Sequence, residues 1–289
     1  MAPPPVETPR GDEMNKFKNK TAVVTGGASG IGRALCVALG NKGAIVTVAD
    51  LNQEGARKVA ETIVASGGSA TAVRLDVTNK EDVAALLNKQ VQLHGRLDYI
   101  FNNAGIGNIG DERDKTFDDW KKIIDINLMG VVYGALTAYS IMAEQGSGHI
   151  VNTASIAGLT PVATEVAYAT TKHAVVGLSH SLRVEGAALG VKVSAICPGV
   201  IDTPFFKTAP VLNADKKAFM ESLKFLTMKD VDKAAKIILR GVARNKALIV
   251  FPFYTRMAWN LYRISPTVME LYMRHRMKLF RELSKKTKA

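Results

Sequence analysis

Short apolar, β-branched runs return at intervals along this chain, at 21–25 (TAVVT), 45–49 (IVTVA), 71–76 (TAVRLD), 97–101 (LDYIF), 149–155 (HIVNTAS), 191–197 (VKVSAIC) and 247–251 (ALIVF). Each has the length of a strand, and the stretches between them are long enough for helices. Several runs are apolar at consecutive positions, so both faces of the strand need cover, which helices on the two sides of one sheet supply. Strand–helix alternation makes neighbouring strands parallel, and right-handed crossovers gather the loops that follow the strands along one edge. The expected architecture is α/β, a doubly wound, mostly parallel seven-stranded sheet with helices on both faces. With 289 residues, 47% of them hydrophobic, the chain buries such a core without covalent staples. Cys36 falls in the first helix and Cys197 ends a core strand, so no disulfide is expected and a reducing, cytoplasmic setting suits the chain. The five histidines (His94, His149, His173, His180, His275) have no ligand spacing, and no metal is expected.

The first run passes into Gly26-Gly27-Ala28-Ser29-Gly30-Ile31-Gly32 and then into a helix from 31 to about 42. Glycines permit a tight turn and let backbone approach a pyrophosphate, while the helix turns its free N–H groups and positive dipole end toward the anion. The second run ends in Asp50, eighteen residues after Gly32, where a carboxylate can accept hydrogen bonds from ribose hydroxyls. A 2′-phosphate would meet like charge there, and Ser29 stands where a compensating cation would be needed, so the sequence points to NAD(H). The competing role for Asp50 is to cap the helix that begins near Asn52.

Tyr168 is followed four residues later by Lys172, which puts both on one helix face, and Ser155 lies thirteen residues upstream. A phenol titrates near about 10, so it needs a neighbouring positive charge to act as a base at neutral pH. Lys172 offers that charge, and Ser155 can hold the substrate oxygen. The nearest imitation, Tyr272 with Arg276, lacks such a serine. Together the three residues form a proton-transfer site for an alcohol or carbonyl.

On these residues the chain resembles the classical short-chain dehydrogenases/reductases, over about 20–251. Thr25, Gly26, Gly30 and Gly32 match the family's glycine-rich turn. The resemblance implies a Rossmann-type fold and further roles. Asp76 and Val77 would lie against the adenine, and Asn103, Ala104 and Gly105, after Asn102, would close the sheet beside the cofactor. Asn127, in DINLMG, would carry a water into a proton relay and complete a tetrad with Ser155, Tyr168 and Lys172. Pro198, Gly199 and Thr203 would turn over the nicotinamide. The activity implied is interconversion of a secondary alcohol and a ketone. An alternative of another class is an NAD(H)-binding regulator that acts through its basic tail, and an intact Ser155, Tyr168 and Lys172 counts against it.

Residues 1–19, with three consecutive prolines and mixed charge, read as a mobile arm ahead of one catalytic domain at 20–252. No run reaches the roughly 18 to 20 apolar residues needed to span a bilayer. The extension 253–289 carries nine lysines and arginines against two acids, a net +7 of the chain's +12. Met269, Tyr272, Met273, Met277, Phe280 and Leu283 recur between these charges at helical spacing, so an amphipathic basic helix is expected. It could close the substrate cleft, hold an anionic membrane surface peripherally or stay solvated, and no nucleic-acid module accompanies it. The family's usual Asp-Gly-Gly ending, which helps build a tetramer, is replaced by ALIVFPFYTR, so a dimer through the helices of Asn127 and Tyr168 is favoured, a tetramer being possible. The variable loops are apolar (Ile156, Leu159, Pro161, Val162; Phe205, Phe206, Val211, Leu212, Phe219, Met220, Phe225, Leu226). They suggest a hydrophobic alcohol or ketone, steroid-, retinoid- or acyl-like.

Overall fold

The structure is a computed structural model that describes residues 16–288, with side chains described as far as Ser284. Seven strands, β1 (Thr21–Thr25), β2 (Ile45–Asp50), β3 (Ser69–Arg74), β4 (Tyr99–Asn102), β5 (Gly148–Thr153), β6 (Val191–Pro198) and β7 (Leu248–Phe251), form one sheet in the order β3-β2-β1-β4-β5-β6-β7. All six pairings are parallel, so the sheet contains no antiparallel member. Val23 pairs with Thr47 on one side and with Ile100 on the other. The strand order reverses on either side of β1, which opens a crevice at the carboxyl ends of β1 and β4.

Side-chain alternation along each strand feeds two cores. Ala22, Val24, Val46 and Val48 meet α1 (Gly30–Gly40), α2 (Gln53–Ala65) and a helix at Val231–Ala243. Val23, Ala49, Ile100 and Ile150 point the other way. There they meet α3 (Lys80–His94) and the helix Gly130–Gln145. Burying one leucine such as Leu39 contributes roughly 2 to 3 kcal/mol. Local signals set the helix ends. Asn52 Oδ1 accepts from Gly55 N at 3.0 Å to start α2, and Gly95, at φ 71°, ends α3 in the left-handed conformation that glycine tolerates.

After β4 the chain enters α4 (Phe117–Ile124), which opens with a Thr116/Asp119 capping box. It continues through a π-helical turn, Asp125–Met129, into α5 (Gly130–Gln145). Within the continuous helical run Phe117–Gln145, 29 residues long, an 18-residue window reaches a mean hydropathy of 1.4, enough by length and composition alone to cross a membrane. Asn127, Thr137 and Ser140 interrupt it, so it is apolar on one side without being an uninterrupted apolar run of roughly 18 to 20 residues. The reason lies in its role, because a helix lying across β4 and β5 needs an apolar side along most of its length. The long helix α6 (Val166–Gly186) follows β5, and the short α7 (Pro204–Thr208) and α8 (Lys216–Leu223) follow β6. The helix at Val231–Ala243 is α9, and the C-terminal extension forms α10 (Phe253–Ile264) and α11 (Pro266–Lys288).

Of the arm expected over 1–19, residues 1–15 lie outside the described residues. Phe17 is buried at 1% exposure, its ring 5.1 Å from that of Tyr99, whose hydroxyl donates to the Lys16 carbonyl at 3.1 Å.

Candidate active site

The glycine turn after β1 is built around close backbone approach. Gly26 and Gly30 have φ of 66° and 52°, and a Cβ on Gly32 would stand 2.0 Å from the Gly26 carbonyl oxygen. Asn103 holds the turn from the far side, its Nδ2 donating to the carbonyls of Thr25 at 3.1 Å and Gly26 at 3.4 Å. Thr25 Oγ1 accepts in return from the N–H groups of Asn103 and Ala104, at 3.0 and 3.1 Å. Ser29 occupies the N-cap of α1 in extended conformation and makes no side-chain cap. The helix therefore turns unspent N–H groups toward the crevice, which is what an anionic phosphate needs.

Asp50, the last residue of β2, accepts from Ala28 N at 3.0 Å and from Asn52 N at 2.8 Å. Asn52, not Asp50, supplies the side-chain cap of α2. One backbone bond on each oxygen leaves lone pairs for further donors. Asp76 lies two residues beyond β3 and is held by Thr78, whose N–H and hydroxyl donate to it and keep its pKa below the usual carboxylate range.

One cavity of about 720 Å³ joins these elements to the opposite end of the crevice. Its wall includes Gly26, Ser29, Gly30, Ile31, Asp50, Asp76, Val77, Asn103, Ala104 and Gly105. Beyond them come Ser155, Tyr168, Lys172, Pro198, Gly199 and Thr203. Two sequence candidates stand behind the wall. Gly32 makes room for the turn, and Asn127, fully buried in the π-helical turn, is tied to Ile106 by two 2.8 Å bonds, Ile106 N to Oδ1 and Nδ2 to Ile106 O. Gly105 separates Asn127 from the lysine, since a Cβ there would lie 3.2 Å from Asn127 Oδ1 and 3.6 Å from Lys172 Nζ.

Lys172 is 2% exposed, donates from Nζ to the Thr153 carbonyl at 2.8 Å and sits 5.4 Å from the centre of the Tyr168 ring. Burial pushes its pKa down to about 8. The Tyr168 phenol is pushed up, first by burial and next by the Glu165 carboxyl, while its hydrogen bond with Ser155 pulls the other way. From the sequence, Lys172 is expected to lower the phenol. In the folded chain desolvation is the largest influence and opposes it, because the ring is shut in under Phe205, 5.6 Å away.

The substrate end is apolar. Ile156, Val162, Phe205, Phe206, Phe219 and Leu226 reach the cavity, whereas Leu159, Pro161, Val211, Leu212 and Met220 do not line it and Phe225 is 98% exposed. The basic tail folds back over this end. Met269, Tyr272, Met273, Phe280 and Leu283 of α11 line the cavity. Phe280 packs edge-on against Phe219, and Arg281 Nε donates to Asp111 at 2.8 Å.

Residues 20–211, spanning the glycine turn, the crevice and the Ser155, Tyr168 and Lys172 cluster, match the family described as short chain dehydrogenase. The chain belongs to this family. Cyclohexanol dehydrogenase from an Acinetobacter species is 39% identical over 191 residues, covering 66% of this chain and 76% of that protein. Levodione reductase from Leifsonia aquatica is 37% identical over 197 residues, covering 67% and 74%. A short chain dehydrogenase/reductase from Burkholderia phymatum, solved in complex with NAD, superposes with a TM-score of 0.79 at 28% identity, covering 88% of this chain and 96% of that one. This short-chain dehydrogenase/reductase is thus an oxidoreductase with a Rossmann-type fold that uses a nicotinamide cofactor. The glycine cradle and the uncapped α1 terminus fit the pyrophosphate of such a group.

Two residues that the sequence reading passed over also line the cavity. Thr255, whose buried Oγ1 has no partner, comes from α10, and Glu165 stands one helical turn before Tyr168. Neither belongs to a recognisable motif.

Proposed function

We propose that the enzyme interconverts a secondary alcohol and its ketone with NAD(H), using Tyr168 as general acid and base. The observation that carries this reading is the convergence of Ser155, Tyr168 and Lys172 on one wall of the cavity that begins at the glycine cradle. A bound nicotinamide would supply the hydride acceptor or donor for the carbinol carbon. In the oxidative direction Tyr168 takes the hydroxyl proton while Ser155 Oγ holds the oxygen. Lys172, fixed on the Thr153 carbonyl, would favour the phenolate and hold the nicotinamide ribose, and Pro198, Gly199 and Thr203 would hold the nicotinamide. Asn127 serves the outward end of the proton path, and Gly105 leaves the space between it and Lys172 clear of a side chain.

NAD is preferred over NADP in this reading because the Asp50 carboxylate stands at the ribose end, while the cations on the cavity wall, Lys172 and Arg276, both belong to the far end. The apolar wall and the names of the two relatives favour a hydrophobic, ring-bearing alcohol or ketone; steroid-like compounds fit the class. Purified enzyme is expected to reduce cyclic ketones with NADH, and Tyr168→Phe to lose about 100-fold or more of kcat while still quenching with NADH. Retained turnover in that variant, or a higher kcat/KM with NADPH than with NADH, would overturn the respective assignment.

The tail supports a second reading alongside catalysis in the cytoplasm. Phe253, Met257, Leu261 and Ile264 of α10 are 44% to 84% exposed, as are Val268 and Leu271 of α11 at 47% and 58%, within a segment of net +7. An apolar strip with basic flanks suits the interface of an anionic membrane. Co-sedimentation with phosphatidylglycerol vesicles and not with phosphatidylcholine vesicles is expected, and equal recovery with both would remove this reading.

A further inference from the structure

Glu165 has a carboxyl that the fold leaves unspent inside the reaction cavity. It occupies the N-cap of α6 without capping it, its backbone carbonyl alone taking part through Ala169 N at 2.8 Å. Its Oε1 is shut off from solvent and has no hydrogen-bond partner. The cation whose charge reaches it is already engaged, because Lys115 Nζ, whose side chain is 1% exposed, donates to the Thr164 carbonyl at 3.1 Å and lies 3.3 Å from Glu112. A buried acceptor left open costs about 1 to 3 kcal/mol, so its retention calls for a reason.

The placement of Glu165 is firm. Thr164 holds φ at 72°, a conformation that a β-branched residue adopts only under constraint. Two bonds to its carbonyl supply that constraint, from Lys115 Nζ and from Gly110 N at 2.9 Å. The backbone is thus pinned immediately before a residue that shares the cavity wall with Ser155 and Tyr168. Tyr168 follows Glu165 at the third position, about one helical turn on, so a group reaching the carboxyl stands on the substrate close to the reacting oxygen. Burial raises the pKa of Glu165 to about 7, with Lys115 opposing, so near neutral pH the acid is present in both forms and offers an acceptor in either.

We infer that Glu165 forms a second polar subsite, which takes a hydroxyl on the substrate one to three carbons from the reacting carbinol; the preferred substrates are diols and hydroxyketones on an otherwise apolar frame. A neutral hydroxyl suits this wall better than an ammonium, which would carry its full desolvation cost into a cavity lined by Phe205, Val162 and Met273. The inference rests on the alcohol–ketone reading above and narrows its substrate class.

The test compares kcat/KM for cyclohexanol with that for the cyclohexane-1,2- and 1,3-diols in the wild type, Glu165→Gln and Glu165→Leu. At least one diol is expected to exceed cyclohexanol by roughly tenfold in the wild type, mainly through KM. Glu165→Leu should erase that ratio, and Glu165→Gln, which still accepts, should keep part of it. A structural role alone would weaken all alcohols equally, and equal losses, like a wild-type ratio near one, overturn the subsite. Calorimetric binding of the same alcohols to the NADH-loaded enzyme gives a readout separate from turnover. Diol selectivity in binding without any oxidation would spare the subsite and sink the reaction, whereas oxidation of all alcohols without selectivity would do the reverse.

Discussion

A single histidine ties the acid stability of this enzyme to its core. His149, 4% exposed on β5, faces Ser194 Oγ at 2.8 Å, and that hydroxyl donates to the Lys246 carbonyl at 2.6 Å. The serine proton is spent, so His149 Nε2 carries the hydrogen of the pair. Burial, with Lys192 and Arg183 adding to it, pushes the ring's pKa down to about 3. Since the folded value lies below the unfolded one, the contribution is complete above about 6.5 and is lost as pH falls toward 3. Between pH 7 and 4.5 this group should cost about 2 to 3 kcal/mol in urea unfolding, and His149→Gln should flatten that dependence. Identical slopes for both proteins would refute the assignment. Neither His149 nor Glu165 was legible as special in the sequence. The weight of each comes from distant segments, Ser194 and Lys246 as partners for one, Lys115 pinning the Thr164 carbonyl for the other. Tyr168 and Lys172, by contrast, were legible because helical spacing alone brings them together.

At the level of elements, the strands were read to within about two residues, because apolar runs end where the chain leaves the sheet. The π-helical turn at Asp125–Met129 was not, since its one-residue expansion leaves the same polar and apolar pattern as an α-helix. The tail shows a similar division. Its amphipathic period announced a helix, yet the target of the apolar side depends on where α10 turns the chain. That target is the cavity, through Met269, Tyr272, Met273 and Phe280, with Arg281 tethered to the buried Asp111. Removing 266–289 should raise KM for hydrophobic substrates roughly tenfold, equivalent to about 1.4 kcal/mol of lost contact, and leave the NADH dissociation constant unchanged. Arg281→Ala should move KM the same way by a smaller factor. Steady-state kinetics beside NADH fluorescence titration separates the two effects, and a tail deletion that weakens NADH equally would contradict the assignment.

The whole molecule presents a further apolar face along its long helices. Leu136 on α5 and Val166 and Val184 on α6 are 47%, 43% and 78% exposed. Two copies placed about a two-fold axis would bury such a face against itself. Light scattering is expected to give a dimer, and Leu136→Asp to shift it toward a monomer without loss of the NADH site. A wild-type monomer would discard this pairing. The strand order has another result. In the proposed reading, loops that follow β1 through β4 hold the nucleotide end of the cavity, while the segments after residue 204, α7, α8, α10 and α11, supply most of its greasy end. The two tasks are therefore written in succession along the gene. One recombination near codon 204 can exchange the pocket of one lineage for that of another and leave the nucleotide grip untouched, so the chain can inherit a new diet in a single event.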